Sequence, residues 1–245
     1  GADKGPQAII DASPNLEFYD IETDSEVYKR GIYTELPLVA DTSESMVDAV
    51  FNSTKEHLEK DQMVVTLGGE HSVSLGAIKA YSEKYKNLTV LQLDAHTDLR
   101  DEYLGSDLNH ACVMARVKEF CPIVQVGIRS MDASEKQSVE PGRIFYAHNI
   151  HSKTNWILSV IAQLKSPVYV TIDLDVFDSS IMPSTGTPEP GGLNWYQVTN
   201  LLRQLSESKT VVGFDVVELC PSAVNKAPDF LAAKLVYTFL SYIWR

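Results

Sequence analysis

Thr89-Val90-Leu91-Gln92-Leu93-Asp94-Ala95-His96-Thr97-Asp98 and Val168-Tyr169-Val170-Thr171-Ile172-Asp173-Leu174-Asp175-Val176-Phe177-Asp178 share one pattern. In each, a short run rich in β-branched and aliphatic residues passes directly into carboxylates or an imidazole at every second position. A continuous apolar run of strand length, without in–out alternation, marks a strand covered on both faces, and such strands belong to parallel sheets. Ligands of open parallel sheets bind beyond the carboxyl ends of the strands. An apolar run that ends in Asp therefore predicts a buried strand with a polar site at its end.

The same reading extends outward in both directions. Met63–Leu67 leads into Gly68-Gly69-Glu70-His71-Ser72, and Thr210–Phe214 into Asp215-Val216-Val217-Glu218. Ile123–Val126 and Arg143–Tyr146 complete the candidate strands. Helical patterns lie between them at Ser45–Lys60, Val73–Lys86, Asn109–Phe120, Thr154–Leu164, Asn194–Glu207 and Pro228–Trp244, with Asn194 and Thr154 as suitable N-caps. Alternating strands and helices predict an α/β fold, a three-layer α/β/α arrangement with a mostly parallel central sheet. No repeat, low-complexity tract or linker interrupts residues 1–245, so one domain is expected. Two long loops stand out, Asp94–Asn109 and the proline- and glycine-rich Asp173–Gly192. Ordered loops of that length are usually functional.

Composition narrows the function classes. Hydrophobic residues make up 44% and charged residues 22%, the balance of a globular chain. Asp and Glu number 33 against 21 Lys and Arg, a net charge of −12 that argues against nucleic acid as partner and suits a cationic substrate. No apolar run approaches the ~20 residues of a bilayer span, and no signal peptide is visible. Cys112, Cys121 and Cys220 do not form a disulfide or zinc pattern. A cytoplasmic protein without a membrane role is the expectation.

The strand ends carry the chemistry. Asp94, His96 and Asp98 fall at i, i+2, i+4, a spacing that turns three donors the same way in an extended or loosely turned segment. Asp173 and Asp175 repeat it, and the Gly68-Gly69 pair lets the chain bend sharply before His71. Two imidazoles and four carboxylates would overcrowd one ion. Two ions ~3.5–4 Å apart, bridged by carboxylates, satisfy both the donor count and the charge. An oxygen-rich set with imidazole suits Mn²⁺ better than a thiolate-seeking metal. The remaining candidates have ordinary readings: His57 as a surface residue, His148 and His151 as polar-loop residues, Cys112 as a small buried side chain.

GGEHS (68–72), DAHTD (94–98), DLDVFD (173–178), STGTPEPGGL (184–193) and DVVEL (215–219) together resemble the ureohydrolase family, which includes arginase and agmatinase. The similarity runs from about Gly5 to the C-terminus, and Leu99–Val117 with the STGTPEPGG loop looks more like agmatinases. The resemblance implies an arginase/deacetylase-like fold and two Mn²⁺ per subunit. His71, Asp94, Asp98 and Asp173 would bind one ion and Asp94, His96, Asp173 and Asp175 the other. Asp98, His110 and Glu218 would be catalytic: Asp98 as proton carrier, His110 as acid–base relay, Glu218 as partner of the substrate guanidinium. It further implies a homotrimer or homohexamer that cleaves a guanidino group to urea and an amine.

The departures are Glu70 where Asp is commoner and Ser179 where proline is frequent. Relatives usually begin with an additional strand and loop before the segment like Gly5–Ile9, so an edge strand and part of the cleft rim are expected to be missing. Arginine would need partners for its α-groups, and only Arg100 and Arg116 lie near in sequence. An acidic rim of Asp101, Glu102 and Asp107 suits a second cationic group and so favours agmatine, converted to putrescine, or an aminopropylagmatine over arginine, with guanidinobutyrate a further alternative. A single-zinc deacetylase would carry fewer acids. A catalytically degenerate guanidino-binding relative is the alternative from another class.

Overall fold

The computed structural model describes residues Gly1–Arg245. In chain order the elements are α1 (Gly5–Ala12), α2 (Ser43–Glu59), β1 (Val65–Leu67), α3 (Val73–Lys84), β2 (Thr89–Leu93), α4 (Val113–Lys118), β3 (Ile123–Ile128), β4 (Ile144–Tyr146), α5 (Ala147–Ile150), α6 (Trp156–Gln163), β5 (Val168–Asp173), α7 (Trp195–Ser208), β6 (Val211–Val217) and α8 (Ala227–Ile243). The strands form one six-stranded sheet in the order β1-β6-β5-β2-β3-β4, and every pairing is parallel. The sheet is thus wholly parallel, not merely mostly so.

The apolar runs behave as two-faced strands should. Leu91 and Leu93 join the core shared with α1, α6, α7 and α8, while Val90 faces the core shared with α2, α3 and α4. Both cores are close-packed against the sheet, and at one point the helices approach within backbone contact. A Cβ on Gly76 of α3 would lie 2.3 Å from the Val47 carbonyl oxygen of α2, so glycine is required there by the crossing itself.

Strand order explains the location of the site. From β2 the chain proceeds to β3 and β4 on one side, whereas β5 leads to β6 on the other. The connections leaving β2 and β5 therefore diverge, which opens a crevice at their adjacent carboxyl ends.

Several local expectations are corrected. β6 continues to Val217, so Asp215 is inside the strand and not at its end. Asn109–Phe120 is a 3-10 turn at His110–Cys112 followed by the short α4. Asn194 caps α7 with a reciprocal Asn194–Gln197 capping box, but Asn155, not Thr154, precedes α6, and its side chain makes no cap bond. α1 carries no strand-like run and was not anticipated; Pro6 in its first turn starts it. No helix is long and apolar enough to cross a membrane.

Candidate metal centre and active site

Backbone turns at two neighbouring strand ends bring the acidic residues together. After β2, the Asp94 carboxylate accepts the His96 N–H at 2.6 Å, which folds the chain back and carries Asp98 to a left-handed φ of 53°. After β5, Asp173 caps a 3-10 turn and accepts the Asp175 N–H at 2.8 Å. The i, i+2, i+4 spacing thus converges through side-chain-capped turns, not through extended backbone.

Two donor groups result. His71 Nδ1 lies 3.0 Å from Asp98, 3.3 Å from Asp94 and 3.4 Å from Asp173. His96 Nδ1 lies 2.9 Å from Asp175 and 3.6 Å from the other Asp94 oxygen. Single donor atoms of His71, Asp94 and Asp98, and likewise of Asp94, His96 and Asp175, fall within 4.8 Å of one another. Asp94 belongs to both sets. All six side chains are buried except that of His96, which is partly exposed. No lysine or arginine pairs with any of the four carboxylates, and the buried His71 Nδ1 has no hydrogen-bond partner. An orphaned imidazole nitrogen aimed at unpaired buried carboxylates fits a divalent cation and little else.

The model of the arginase family matches residues 1–241. The chain belongs to the arginase family. The N(1)-aminopropylagmatine ureohydrolase of Synechocystis sp. is 39% identical over 99% of this chain and 83% of its own length. The agmatinase of Pyrococcus horikoshii is 34% identical over 97% of this chain and 84% of its length. The crystal structure of the agmatine ureohydrolase of Thermoplasma volcanium superposes with a TM-score of 0.89 at 30% identity, covering 99% of this chain and 84% of that one.

Electrostatics in this arginase-family site follow from crowding. Burial, and then the Asp94 carboxylate, push Asp98 up to about 7. Burial with the neighbouring carboxylates of Asp175 and Asp94 holds Asp173 well above the usual range, and Asp175 is raised by burial and Asp94. Burial acts against ionising both Asp94 and His96. The His71 and His96 imidazoles beside it nevertheless hold Asp94 below the usual range, while Asp175 and Asp94 carry His96 up to about 11. Self-repelling carboxylates of this kind are relieved by bound cations.

Glu218 and His110 stand at the rim. Glu218 follows β6 with a left-handed φ of 66°, and its carboxylate accepts the His71 N–H at 2.7 Å. The half-exposed His110 places Nδ1 2.8 Å from Glu70 Oε1 and packs edge-on against Tyr103. Glu70 also accepts from the His110 backbone N–H and the Ser72 hydroxyl. The proposed acidic rim is only partly offset: Arg116 lies 3.6 Å from Asp101 and 3.5 Å from Asp107 but also 3.1 Å from Glu119, and Glu102 has no ion pair, so the rim keeps a net negative charge. Arg100 covers the Tyr103 ring at 4.8 Å. His57, His148 and His151 lie outside both donor sets.

Four supporting residues escaped the sequence reading. Gln92, buried in β2, donates to Asp94 at 2.7 Å, and its register partner Gln125 donates to Gln92 at 2.6 Å and to the Thr97 carbonyl at 2.7 Å. Buried Glu135 accepts from the Thr97 hydroxyl and the Leu99 N–H. The Arg129 guanidinium donates to the carbonyls of Asp175, Phe177, Glu189 and Pro190, clamping the 173–192 loop. A glutamine inside an otherwise apolar strand was the one available signal; Glu135 and Arg129 act through distant backbone and left none.

Proposed function

We propose that this chain is a binuclear-manganese amidinohydrolase that cleaves agmatine to urea and putrescine, a step in polyamine synthesis. The observation that carries the reading is the pair of donor sets sharing Asp94 at the β2 and β5 ends, with Glu218 beside them. His71, Asp94, Asp98 and Asp173 would hold one ion, and Asp94, His96, Asp173 and Asp175 the other. When bound, the ions neutralise the carboxylates and make a water nucleophilic at neutral pH.

The chain's own residues do the rest. Glu218, its carboxylate held by the His71 N–H, orients the guanidinium through a charge-assisted pair and places its carbon for attack. Burial raises the Glu218 pKa, and a cationic substrate favours its ionised form. Asp98 carries the proton from the attacking water to the leaving amine. His110, anchored through Nδ1 to Glu70, leaves Nε2 free to exchange protons with solvent.

Aminopropylagmatine is the second reading, because relatives at 39% and 38% identity are named for it. The acidic rim, offset by a single Arg116 charge, suits the distal amine of either substrate. We place the enzyme in the cytoplasm as a homotrimer or homohexamer; exposed Tyr33, Leu36 and Val39 supply apolar surface for such assembly.

The test is urea release by Mn²⁺-loaded protein offered agmatine, aminopropylagmatine, arginine and guanidinobutyrate side by side. Urea from agmatine, lost in Asp98→Asn, is the expected result. Urea from aminopropylagmatine alone would transfer the activity to the second reading. Two bound metals with no urea from any of the four would overturn both.

A further inference from the structure

Asp215 has no part in the chemistry above, yet it is a carboxylate with 0% exposure in the middle of a central strand. Such a group is costly unless its oxygens are satisfied. Its register partners are Thr171 of β5 and Thr66 of β1. Tyr169 Oη donates to one oxygen at 2.9 Å, and Thr171 Oγ1 donates to the other at 2.7 Å. The same Thr171 oxygen lies 2.9 Å from His71 Nε2.

A hydroxyl has one proton and can accept through its lone pairs. Ser74 Oγ at 3.4 Å and an unprotonated His71 Nε2 at 2.9 Å could compete for the Thr171 proton, but the anionic Asp215 carboxylate, shortest at 2.7 Å, is the strongest acceptor and wins. Thr171 must then accept from His71, which places the imidazole proton on Nε2. Nδ1 is left as a bare lone pair, and Nδ1 is the nitrogen facing Asp94, Asp98 and Asp173. His96 has no equivalent chain: its ring makes no side-chain hydrogen bond, and only the Asp94 and Asp175 carboxylates lie within ion-pair range of its Nδ1.

We propose that Asp215, acting through Thr171, is a positioning residue that fixes the His71 tautomer and ring orientation and so tightens metal binding at one of the two ion sites, the one containing His71. The inference rests on the metal-centre reading above. It differs from a purely structural role for Asp215, which would join β5 to β6 and affect both sites alike. Hydrogen-bond partners behind a metal-binding histidine typically contribute about 10–100-fold in affinity.

The experiment is calorimetric titration of metal-free protein with Mn²⁺, for the wild type, Thr171→Val, Thr171→Ser and Asp215→Asn, with circular dichroism as the check on folding. Valine keeps the shape of threonine and removes the hydroxyl, so Thr171→Val carries the test even if Asp215→Asn does not fold. Wild type binding two ions, Thr171→Val losing about 10–100-fold at one site only, and Thr171→Ser staying within about threefold of wild type would support the proposal. His96→Ala should weaken the site that Thr171→Val leaves intact. Folded Thr171→Val with both sites unchanged, or both weakened equally, would overturn the positioning role. Wild type that binds no Mn²⁺ would instead overturn the metal-centre reading beneath it.

Discussion

Asp98 and Glu218, the two carboxylates given the chemical steps, both hold left-handed backbone, at φ 53° and 66°. Non-glycine residues there cost about 1 kcal/mol or more and persist where surrounding structure over-determines them. At Asp98 the cause is visible: its carbonyl accepts the N–H groups of Met114 and Ala115 at the start of α4, 3.0 Å each. Asparagine tolerates this region well. Asp98→Asn is therefore expected to melt within a few degrees of wild type in its metal-free form while losing urea release, a combination read from one thermal scan and one assay. Glu70 acts differently, by holding the His110 ring. Glu70→Gln removes the anionic acceptor at Nδ1, and kcat should fall by about 10–100-fold with KM little changed. Steady-state kinetics decide it, and an unaltered kcat would show that His110 needs no anchor.

The element that most depends on a single side chain is the 173–192 loop. Arg129, at the end of β3, reaches the carbonyls of Asp175, Phe177, Glu189 and Pro190, while Asp178 accepts the Gly191 and Gly192 N–H groups at 2.8 and 3.1 Å. Arg129→Ala leaves several carbonyls without donors, so a loss of about 2–4 kcal/mol is expected in urea denaturation, with faster amide exchange at Gly191 and Gly192. Lysine should not restore it, because one ammonium cannot span a planar fork of acceptors. The α2–α3 crossing offers a second test. Gly76→Val would force atoms into the Val47 carbonyl and the Phe51 nitrogen, and a destabilisation of about 1–3 kcal/mol or more should appear as a lowered denaturation midpoint.

At the scale of the whole molecule, stability and metal binding are linked through protons. Asp98 titrates at about 7 in the folded chain, against ~3.9 when unfolded. A raised acid binds more protons folded than unfolded, so its contribution declines as pH climbs from ~4 to 7. His96, raised to about 11 from an ordinary ~6.5, stabilises fully below ~6.5 and loses that contribution on the way to 11. Both signs agree: the metal-free protein should melt lower at pH 9 than at pH 5. Ions that replace those protons should reverse the trend, so the gain in Tm on adding Mn²⁺ should grow with pH. Thermal scans at pH 5, 7 and 9 with and without Mn²⁺ measure it, and a metal-induced gain that shrinks with pH would contradict the assignment.

Local signals sufficed for the strands and their acidic ends. Short apolar runs rich in β-branched residues specify parallel strands because they are too short for a buried helix, and the donors His71, Asp94, His96, Asp98, Asp173 and Asp175 all follow such runs within a few residues. The crevice between β2 and β5 was implied by that pattern but depends on strand order, which arises from the packing of helices on both faces. Tertiary contacts alone extended β6 through Asp215, since Val216 and Val217 pair with Ile172 and Asp173, and this buried the carboxylate beside Thr171. They also set Arg116 beside Asp101 and Asp107, recruited Glu135 and Arg129 from distant segments, and joined Glu70 to His110 across forty positions of chain. Sequence spacing alone determined which residues could serve as ligands, because all six cluster at the ends of three strands, β1, β2 and β5. Which polar groups stand behind those ligands was decided only by the fold, because their partners come from other strands and loops.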